Sequence, residues 1–386
     1  MRIIAYYLPQ FHNIPENDEW WGDGFTEWVN VRAAEPLFPG HDQPKVPLND
    51  NYYNLLDDSV KVWQAKLAKE YGIYGFCYYH YWFNGKMLLE KPMEQMLANP
   101  AIDLPFCISW ANESWTKSWV GEKREMLIVQ KYGDESEWRE HFDYLLPFFR
   151  DPRYIKCEGK PFFVIYRPEI IPCLEPMLSA WDRWAKEAGF PGMSFAHQST
   201  TPDFISGADS SVFDYAIEYQ PRMGRVRITD RKFSLIKKVR RAIYRRFEQL
   251  TGINLHKYDG DLMQRLAKGN RQDYSEVWES IISMKPVSPK SIPGAFSMWD
   301  NSPRYHENAK VYVGATPEKF RYYMTKQIEH AKNDYHTDLM LFFAWNEWCE
   351  GGYLEPDTSN GYGYLEGIRN ALIDTGEWPT DYSADQ

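Results

Sequence analysis

Two glutamates three residues apart are the residues of this sequence best suited to chemistry. Glu347 and Glu350 lie in Trp345-Asn346-Glu347-Trp348-Cys349-Glu350, directly after an apolar run that predicts a buried strand. One carboxyl group can protonate a leaving oxygen while the other acts as base or nucleophile, and indole faces pack against sugar rings. An isolated Glu-x-x-Glu is more often a structural ion pair, but the strand end and the aromatic neighbours favour sugar chemistry.

A second strand end carries a similar pattern, which leaves another pairing open. Trp110-Ala111-Asn112-Glu113 resembles Trp345-Asn346-Glu347. In many barrel glycosidases a strand-end Asn-Glu pair supplies the acid/base, and the asparagine holds the sugar 2-hydroxyl. Glu113 could therefore face Glu347 across a pocket in place of Glu350. The distance between the two carboxylates would predict inversion or retention, and the sequence does not fix it.

Eight apolar or aromatic runs predict the strands that position these residues. They are Ile3–Leu8, Ile73–Tyr81, Leu104–Trp110, Pro161–Tyr166, Met193–His197, Phe213–Tyr219, Gly294–Trp299 and Leu339–Trp345. Helices are predicted at about Asp58–Tyr71, Glu135–Phe149, Leu174–Ala188, Tyr274–Met284 and Pro317–Lys332. This alternation predicts parallel βαβ units and a closed (β/α)8 TIM-type barrel. An open doubly wound sheet would need a glycine-rich turn after its first strand, and the chain has none there.

Polar and aromatic residues follow several predicted strands, and together they predict a pocket at one end of the barrel. A stacking wall for sugar rings is expected from Tyr7, Trp82, Trp110 and Trp299. Hydrogen bonds to sugar hydroxyls are expected from His80, Asn112, Glu113, His197 and Glu218. The other expected substrate-binding residues are Glu27, Trp28, Tyr166 and Asn346. A lone histidine is more often part of a core, so the prediction depends on the convergence of several strand ends.

Two connections are longer than ordinary barrel loops, and residues 1–386 are predicted to form one domain with these two insertions. Residues 9–57 are rich in aromatics and proline and are expected to form a rim or lid. Residues 221–273 are strongly basic, and apolar residues from Phe233 to Leu250 mark one face of a predicted helix. This insertion either docks on an anionic membrane surface or a lipid-linked glycan, or packs on the barrel with a solvated basic face.

The composition excludes several classes of protein. A net charge of −10 argues against a nucleic-acid partner. Aromatic residues make up 17% of the chain, and carbohydrate-active proteins use such rings as stacking platforms, although many must fill the core. The five cysteines lack the spacing of a disulfide framework or a metal site, and no metal or cofactor is expected. Without a signal peptide or a bilayer-spanning segment, a cytoplasmic location is expected, with possible membrane association through the basic insertion.

Four motifs resemble those of a known family. They are Glu19-Trp20-Trp21-Gly22-Asp23-Gly24-Phe25-Thr26-Glu27-Trp28, Gly75-Phe76-Cys77-Tyr78-Tyr79-His80-Tyr81-Trp82-Phe83, Trp110-Ala111-Asn112-Glu113 and Trp345-Asn346-Glu347-Trp348. The chain resembles the WbsX-like proteins of bacterial O-antigen and capsule gene clusters, which are related to glycoside hydrolase family 99 (GH99). That family contains endo-acting α-mannosidases and mannanases that retain configuration. The resemblance implies a (β/α)8 barrel that acts on polysaccharide.

The resemblance also implies roles for the two glutamates. Glu347-Trp348-Cys349-Glu350-Gly351 is similar to the GH99 motif Glu-Trp-His-Glu-Gly, with cysteine in place of histidine. It implies that Glu347 deprotonates the substrate 2-hydroxyl to give a 1,2-anhydro-sugar, and that Glu350 is the general acid/base. Three hypotheses stay open: a retaining glycoside hydrolase or transglycosylase, a glycosyltransferase of O-antigen or capsule assembly, and a non-catalytic carbohydrate-binding barrel.

Overall fold

Parallel strands form a barrel in the computed structural model, which describes residues 1–117, 125–199, 212–228 and 271–384. The barrel strands are β1 (Arg2–Tyr7), β2 (Gly75–Phe83), β3 (Phe106–Trp110), β4 (Lys160–Ile165), β5 (Ser194–Ser199), β6 (Tyr215–Glu218), β7 in two halves (Ser291–Ile292 and Gly294–Phe296) and β8 (Leu339–Phe343). Each matches one of the eight predicted runs, with ends that differ by a few residues. The predicted (β/α)8 barrel is confirmed.

Strand β7 closes the barrel because it is split. Its first half pairs with β6 and its second half pairs with β8, while β8 also pairs with β1. Pro293 separates the halves, and proline has no N–H to give to a neighbouring strand. Its carbonyl still accepts a hydrogen bond from the Leu341 N–H at 3.2 Å. The two halves therefore bridge β6 and β8, where a single run was predicted.

Helices surround the barrel and cap one of its ends. They are α1 (Pro15–Trp21), α2 (Glu27–Ala33), α3 (Asp58–Glu70), α4 (Lys91–Ala98), α5 (Glu135–Arg150), α6 (Leu174–Glu187), α7 (222–228), α8 (Tyr274–Ile282), α9 (Ser302–Tyr305), α10 (Pro317–Asn333) and α11 (Gly363–Asp374). Single 3-10 turns occur at Leu48–Asp50, Pro168–Ile170, His306–Asn308 and Trp348–Glu350. Within the described ranges, none of these helices has the length and apolar character that crossing a bilayer requires.

Short ribbons lie beside and between the barrel elements. Lys86–Leu88 pairs with the end of β2, and Lys156–Cys157 pairs with the start of β4. Three more two-stranded ribbons join Trp115–Lys117 to Glu125–Ile128, Arg271–Asp273 to Val311–Val313, and Asn346–Glu347 to Gly352–Tyr353. The predicted basic helix around Phe233–Leu250 lies outside the described residues. All five cysteines are free thiols.

The faces of the barrel strands decide which side chains can reach a pocket. Successive side chains of a strand point to opposite faces. Tyr6 stacks on Tyr79 at 5.3 Å and meets Tyr219 edge-on at 6.0 Å, so these three rings fill the barrel interior. Tyr7 points the other way, and its hydroxyl donates to Gln64 of α3 at 2.7 Å. Alternate residues of one strand therefore point either into the barrel interior or towards the surrounding helices.

Candidate active site

A cavity of about 340 Å³ lies at the carboxyl ends of the strands. Its wall is built from strand ends, from the long connection after β1 and from the loop after β3. The lining residues are Leu8, Gln10, Asn17, Trp21, Phe25, Tyr79, Tyr81, Ala111, Glu113, Ser114, Trp115, Thr116, Leu127, Tyr166, Tyr219, Arg304, Tyr305, Phe343, Glu347 and Glu350. Aromatic rings and carboxyl groups dominate this wall, and such a wall suits a ligand with apolar faces and many hydroxyls.

The two glutamates of the strand-end motif enter this cavity together. Residues 346–353 form a tight ribbon in which Trp348–Glu350 is a 3-10 turn and Gly351 has a φ of 64°. A Cβ at Gly351 would lie 2.7 Å from the Asp300 backbone nitrogen, so only glycine fits this left-handed turn. The Asp300 N–H donates to the Glu350 carbonyl at 2.8 Å. The turn holds both carboxyl groups against the same side of the cavity.

Arg304 of α9 connects the two glutamates to a third. Its Nη1 donates to Glu350 Oε1 at 2.7 Å, and its Nη2 lies 3.1 Å from Glu27 Oε1 and 3.6 Å from Glu347 Oε2. The Glu27 side chain is fully buried, and the arginine side chain is only 10% exposed. Glu350 therefore has a close ion pair. Glu347 Oε2 is buried and accepts no hydrogen bond within the described chain.

The charges of this group shift the acidities of its members. Burial raises the pKa of Glu347 to about 8; Arg304 opposes this shift, and Glu350 and Glu27 add to it. Burial also raises the pKa of Glu350, against the opposing guanidinium of Arg304. Burial alone would lower the pKa of Arg304, but Glu27, Glu350 and Glu347 hold it well above its usual value. At neutral pH Glu347 is consequently protonated, because its pKa lies above 7.

The long connection after β1 brings Glu27 to the site and is fastened there. His41 Nδ1 accepts from the Leu37 N–H at 3.0 Å, so its Nε2 carries the proton and donates to Asp300 at 2.7 Å. Gln43 donates to the same carboxylate at 2.6 Å. Asp300 in turn contacts the Glu350 carbonyl through its own N–H. Part of the predicted rim is thus joined to the end of β7, beside the turn that bears Glu350.

The two asparagines of the repeated motif form hydrogen bonds with backbone groups of distant residues. Asn346 accepts from the Leu8 N–H at 2.7 Å and donates to the Leu8 carbonyl at 3.0 Å. Asn112 makes the same pair of bonds with Arg167, both at 2.8 Å. Each asparagine therefore closes the gap to a neighbouring strand end, after β1 and after β4. Both asparagines are fully buried, and these hydrogen bonds to backbone differ from the predicted contact with a sugar hydroxyl.

Glu113 reaches the same cavity from the loop after β3. Its carboxylate forms an ion pair with Arg167, and both side chains are more than a third exposed. Arg167 also binds Glu169 at 2.7 Å. Glu113 thus stands at the open part of the wall, whereas Glu347 and Glu350 lie deeper, around Arg304. Tyr166, another predicted binding residue, lines the cavity as well.

Several predicted binding residues lie outside the cavity lining because their strand positions face the helices. His80 shares a hydrogen bond between Nε2 atoms with His141 of α5 at 2.9 Å, and Trp82 stacks on His141 at 4.4 Å. Trp110 donates to the Trp82 carbonyl at 3.2 Å, and its ring meets His141 edge-on. The alternate residues of β2, Tyr79 and Tyr81, face the cavity instead.

The remaining predicted residues outside the lining also have partners within the protein. The Trp28 indole donates to the Tyr53 carbonyl at 2.8 Å. Glu218 accepts from the Tyr335 hydroxyl at 2.6 Å and from the Val287 N–H at 3.0 Å. The ring of His197 packs against Phe213 at 4.8 Å, and that of Trp299 packs against Phe343 at 5.3 Å. With Tyr7, these residues support the fold around the cavity.

A buried carboxylate holds the tryptophans of the strand-end motif. Glu355 accepts hydrogen bonds from the indoles of Trp345 and Trp348 at 3.0 and 2.7 Å. Gln64 and the Tyr53 hydroxyl add two more donors, at 2.7 and 2.8 Å. Burial raises the pKa of Glu355 to about 7, and the four donors oppose that shift. Both indoles are fully buried, so they position the turn of Glu347 and Glu350 and do not offer a face to a sugar.

Sequence reasoning missed Arg304, Glu355 and the cavity tyrosines Tyr79, Tyr81 and Tyr219. The tyrosines lie within the predicted strands and strand ends, but no polarity pattern marks which face is interior. Arg304 and Glu355 give no local signal, since their partners come from distant segments. No group of three or more histidine, cysteine, aspartate or glutamate side chains suited to a metal ion occurs among the residues that the structure describes.

Solved structures share the barrel. The chain aligns with a GH99 endo-alpha-mannosidase from Bacteroides thetaiotaomicron with a TM-score of 0.52 and 13% sequence identity, over 97% of this chain and 98% of that chain. A glycoside hydrolase-like protein aligns with a TM-score of 0.55 and 12% identity, over 96% and 93%. At such identities the likeness concerns the fold. The chain therefore shares the barrel fold of these two proteins.

The chain belongs to the WbsX family. The sequence model of the family described as "Glycosyltransferase WbsX" matches residues 3–368. The uncharacterized protein WxcX of Xanthomonas campestris pv. campestris is 34% identical over 379 residues, in each of two strains. This match covers 96% of the chain and 49% of WxcX, so the chain spans about half the length of its curated relative. The resemblance to WbsX-like proteins is confirmed.

Proposed function

We propose that this protein is a retaining glycoside hydrolase or transglycosylase that acts on bacterial polysaccharide through Glu347 and Glu350. The observation that carries this proposal is the shared site of the two carboxyl groups: both line the aromatic cavity, and one arginine binds both. Two carboxyl groups, of which Glu347 is protonated at neutral pH, can serve as acid and base in the cleavage of a glycosidic bond. The cavity tyrosines and tryptophans supply surfaces for sugar rings.

The roles follow the resemblance to GH99. Glu347 acts as base on the 2-hydroxyl, and the resulting oxygen attacks the neighbouring anomeric carbon to give a 1,2-anhydro-sugar. Glu350 protonates the departing oxygen and afterwards removes a proton from water or from an acceptor sugar. The oxygen of that molecule bonds to the anomeric carbon, the bond from this carbon to the 2-oxygen breaks, and Glu347 returns its proton to the 2-oxygen. Two successive inversions at the anomeric carbon give net retention of its configuration.

These roles require Glu347 to lose its proton when substrate binds, and Glu350 to be protonated. In the free site Glu347 is protonated, because burial raises its pKa and the close ion pair of Arg304 is with Glu350. A bound sugar whose 2-hydroxyl donates to Glu347 stabilises the carboxylate there, and a glycosidic oxygen beside Glu350 stabilises the protonated acid. Substrate binding would thus produce the reactive protonation state, and the free site would stay in an unreactive one.

The test uses glycan panels and two isosteric variants. Wild type, Glu347→Gln and Glu350→Gln are incubated with bacterial surface polysaccharides and mannan oligosaccharides, without nucleotide sugars, and the products are analysed. We expect cleavage by the wild type and a loss of at least about 100-fold in each variant. With a glycosyl fluoride of the cleaved sugar, Glu350→Gln should release about one equivalent of fluoride in a first turnover and Glu347→Gln should not, because fluoride departs without a proton. Fluoride release by Glu347→Gln alone would assign the roles in reverse.

A glycosyltransferase of O-antigen or capsule assembly is the second candidate. The family description favours it, and so do the basic residues that follow β6. The matching experiment adds nucleotide-sugar donors and a lipid-linked acceptor, and turnover only in their presence would favour this candidate. If both variants keep full glycan affinity and no mixture gives turnover, the barrel is a binding protein.

We place the protein in the cytoplasm, in accordance with five free thiols.

A further inference from the structure

A basic cluster, defined as Arg222, Arg225 and Lys310, lies beside the acidic cavity. Its first two members belong to α7, which begins three residues after the cavity-lining Tyr219. The Met223 N–H donates to the Tyr219 carbonyl at 3.1 Å, so the first turn of α7 is attached directly to a residue of the cavity wall. Residues three apart on a helix share a face, which places Arg222 and Arg225 side by side.

Lys310 joins them from the neighbouring strand end. Its N–H donates to Asn301 Oδ1 at 2.7 Å, and the Asn301 N–H donates to the Lys310 carbonyl at 3.3 Å. Asn301 follows Asp300, whose N–H binds the Glu350 carbonyl. The side chain of Arg225 bonds to the hydroxyl of Tyr312, two residues after Lys310. Because β7 pairs with β6, the loops that follow these two strands bring the three cations together at the rim.

Lys310 lies in an unfavourable position among the positive charges of the cluster. Burial, together with the charges of Arg225 and Arg222, lowers the pKa of Lys310 to about 8. Among the residues that the structure describes, the side chains of Arg222 and Lys310 form neither an ion pair nor a hydrogen bond. A half-buried lysine that faces two arginines without a carboxylate of its own is costly for the folded state. An anion bound there would relieve this cost.

We propose that the basic cluster binds the phosphate oxygens of a sugar diphosphate whose sugar lies in the cavity. This inference rests on the proposed function, because it assigns the sugar to the cavity of Glu347 and Glu350. The acidic cavity repels an anion but accepts an uncharged sugar ring, whereas three cations at its rim match the charge of a diphosphate. A diphosphate of this kind is found in nucleotide sugars and in lipid-linked glycans, and both present the same oxygens to the cluster.

Titration of the full chain with inorganic pyrophosphate tests the site without requiring turnover. By calorimetry at low ionic strength, we expect the wild type to bind and Lys310→Met and Arg222→Gln each to weaken binding about tenfold. Arg227→Gln is the matched control: it removes the same charge from the same helix, but Arg227 lies near Tyr335. Absence of binding to the wild type, or equal weakening by Arg227→Gln, would overturn the proposal.

Two further probes separate the sources of the diphosphate. Uridine diphosphate glucose represents nucleotide sugars, and farnesyl diphosphate represents lipid carriers. The source whose binding exceeds that of pyrophosphate and falls about tenfold in Lys310→Met is the one that the site accepts. If Lys310→Met changes the binding of neither probe, the proposal fails. Glu350→Gln should bind pyrophosphate at least as tightly as the wild type, so loss of glycan turnover and loss of anion binding are distinguishable.

Discussion

Replacing Glu347 with glutamine should change how the stability of the protein depends on pH. The pKa of Glu347 rises from its ordinary 4.5 in the unfolded chain to about 8 in the folded site. Below pH 4.5 the group is protonated in both states. As the pH rises from there to about 8, the unfolded chain gives up this proton and the folded chain retains it, so the free energy of unfolding falls.

The size of the effect follows from the shift. At about 1.4 kcal/mol per unit of pKa, the wild type should lose roughly 4 kcal/mol between pH 5 and pH 9 through this group. A glutamine has no proton to lose, so Glu347→Gln should not show this fall. Its stability relative to the wild type should therefore increase with pH. Glutamine has nearly the same size and shape as glutamate, so it fits the space of this side chain, which is 7% exposed and has its Oε2 3.6 Å from Arg304 Nη2.

Urea unfolding followed by tryptophan fluorescence at pH 5, 7 and 9 measures the difference. Glu113→Gln is the control, since this carboxylate lines the same cavity but is more than a third exposed. Its effect on the free energy of unfolding should stay below about 1 kcal/mol at each pH. Parallel pH profiles for wild type and Glu347→Gln would refute the reasoning, because they would show that Glu347 titrates alike in the folded and unfolded chain.

Three further substitutions probe the supports of the site. Arg304→Met should lower the free energy of unfolding by about 3–5 kcal/mol, because three carboxylates lose their shared cation, and Arg304→Lys should lose less; thermal unfolding measures this, and a Met variant as stable as the wild type would contradict it. Asn346→Ala should cost about 2–3 kcal/mol in urea unfolding, since both backbone groups of Leu8 lose their partner, with faster hydrogen exchange at the Leu8 amide. An unchanged exchange rate would argue against the clamp. Glu355→Gln should cost about 2–4 kcal/mol, because an amide group replaces an acceptor among four donors, and it should shift tryptophan fluorescence; an unshifted spectrum at full stability would count against that network.

The barrel could be predicted because each of its strands is an uninterrupted apolar or aromatic run. The interior face could not be predicted. In Tyr78-Tyr79-His80-Tyr81-Trp82 every side chain is large and able to pack, since a parallel strand is covered on both faces and shows no alternation of polarity. A choice between odd and even positions was therefore arbitrary. The prediction took His80 and Trp82, and the structure places the other parity in the cavity.

The candidate site divides in the same way between local and distant information. Glu347 and Glu350 are adjacent to a strand end, so their position at the cavity follows from the strand alone. Arg304 lies more than forty residues before Glu347 in the chain. Glu355 accepts hydrogen bonds from Tyr53, in the long first connection, and from Gln64 of α3. Such contacts depend on how the loops fold over the strand ends. Only the three-dimensional arrangement reveals which arginine serves the glutamates.

The clamp between Asn346 and Leu8 has a consequence for how the protein is made. It joins the loop after the last strand to the end of the first, and β8 also needs β1 as its neighbour. While a ribosome is still translating the middle of the chain, β1 has no partner on that side and the two glutamates do not yet exist. The site consequently forms only after β8 has been synthesised. A chain stopped before β8 would carry most of the barrel and none of its chemistry, and supplying the missing segment separately could switch the activity on.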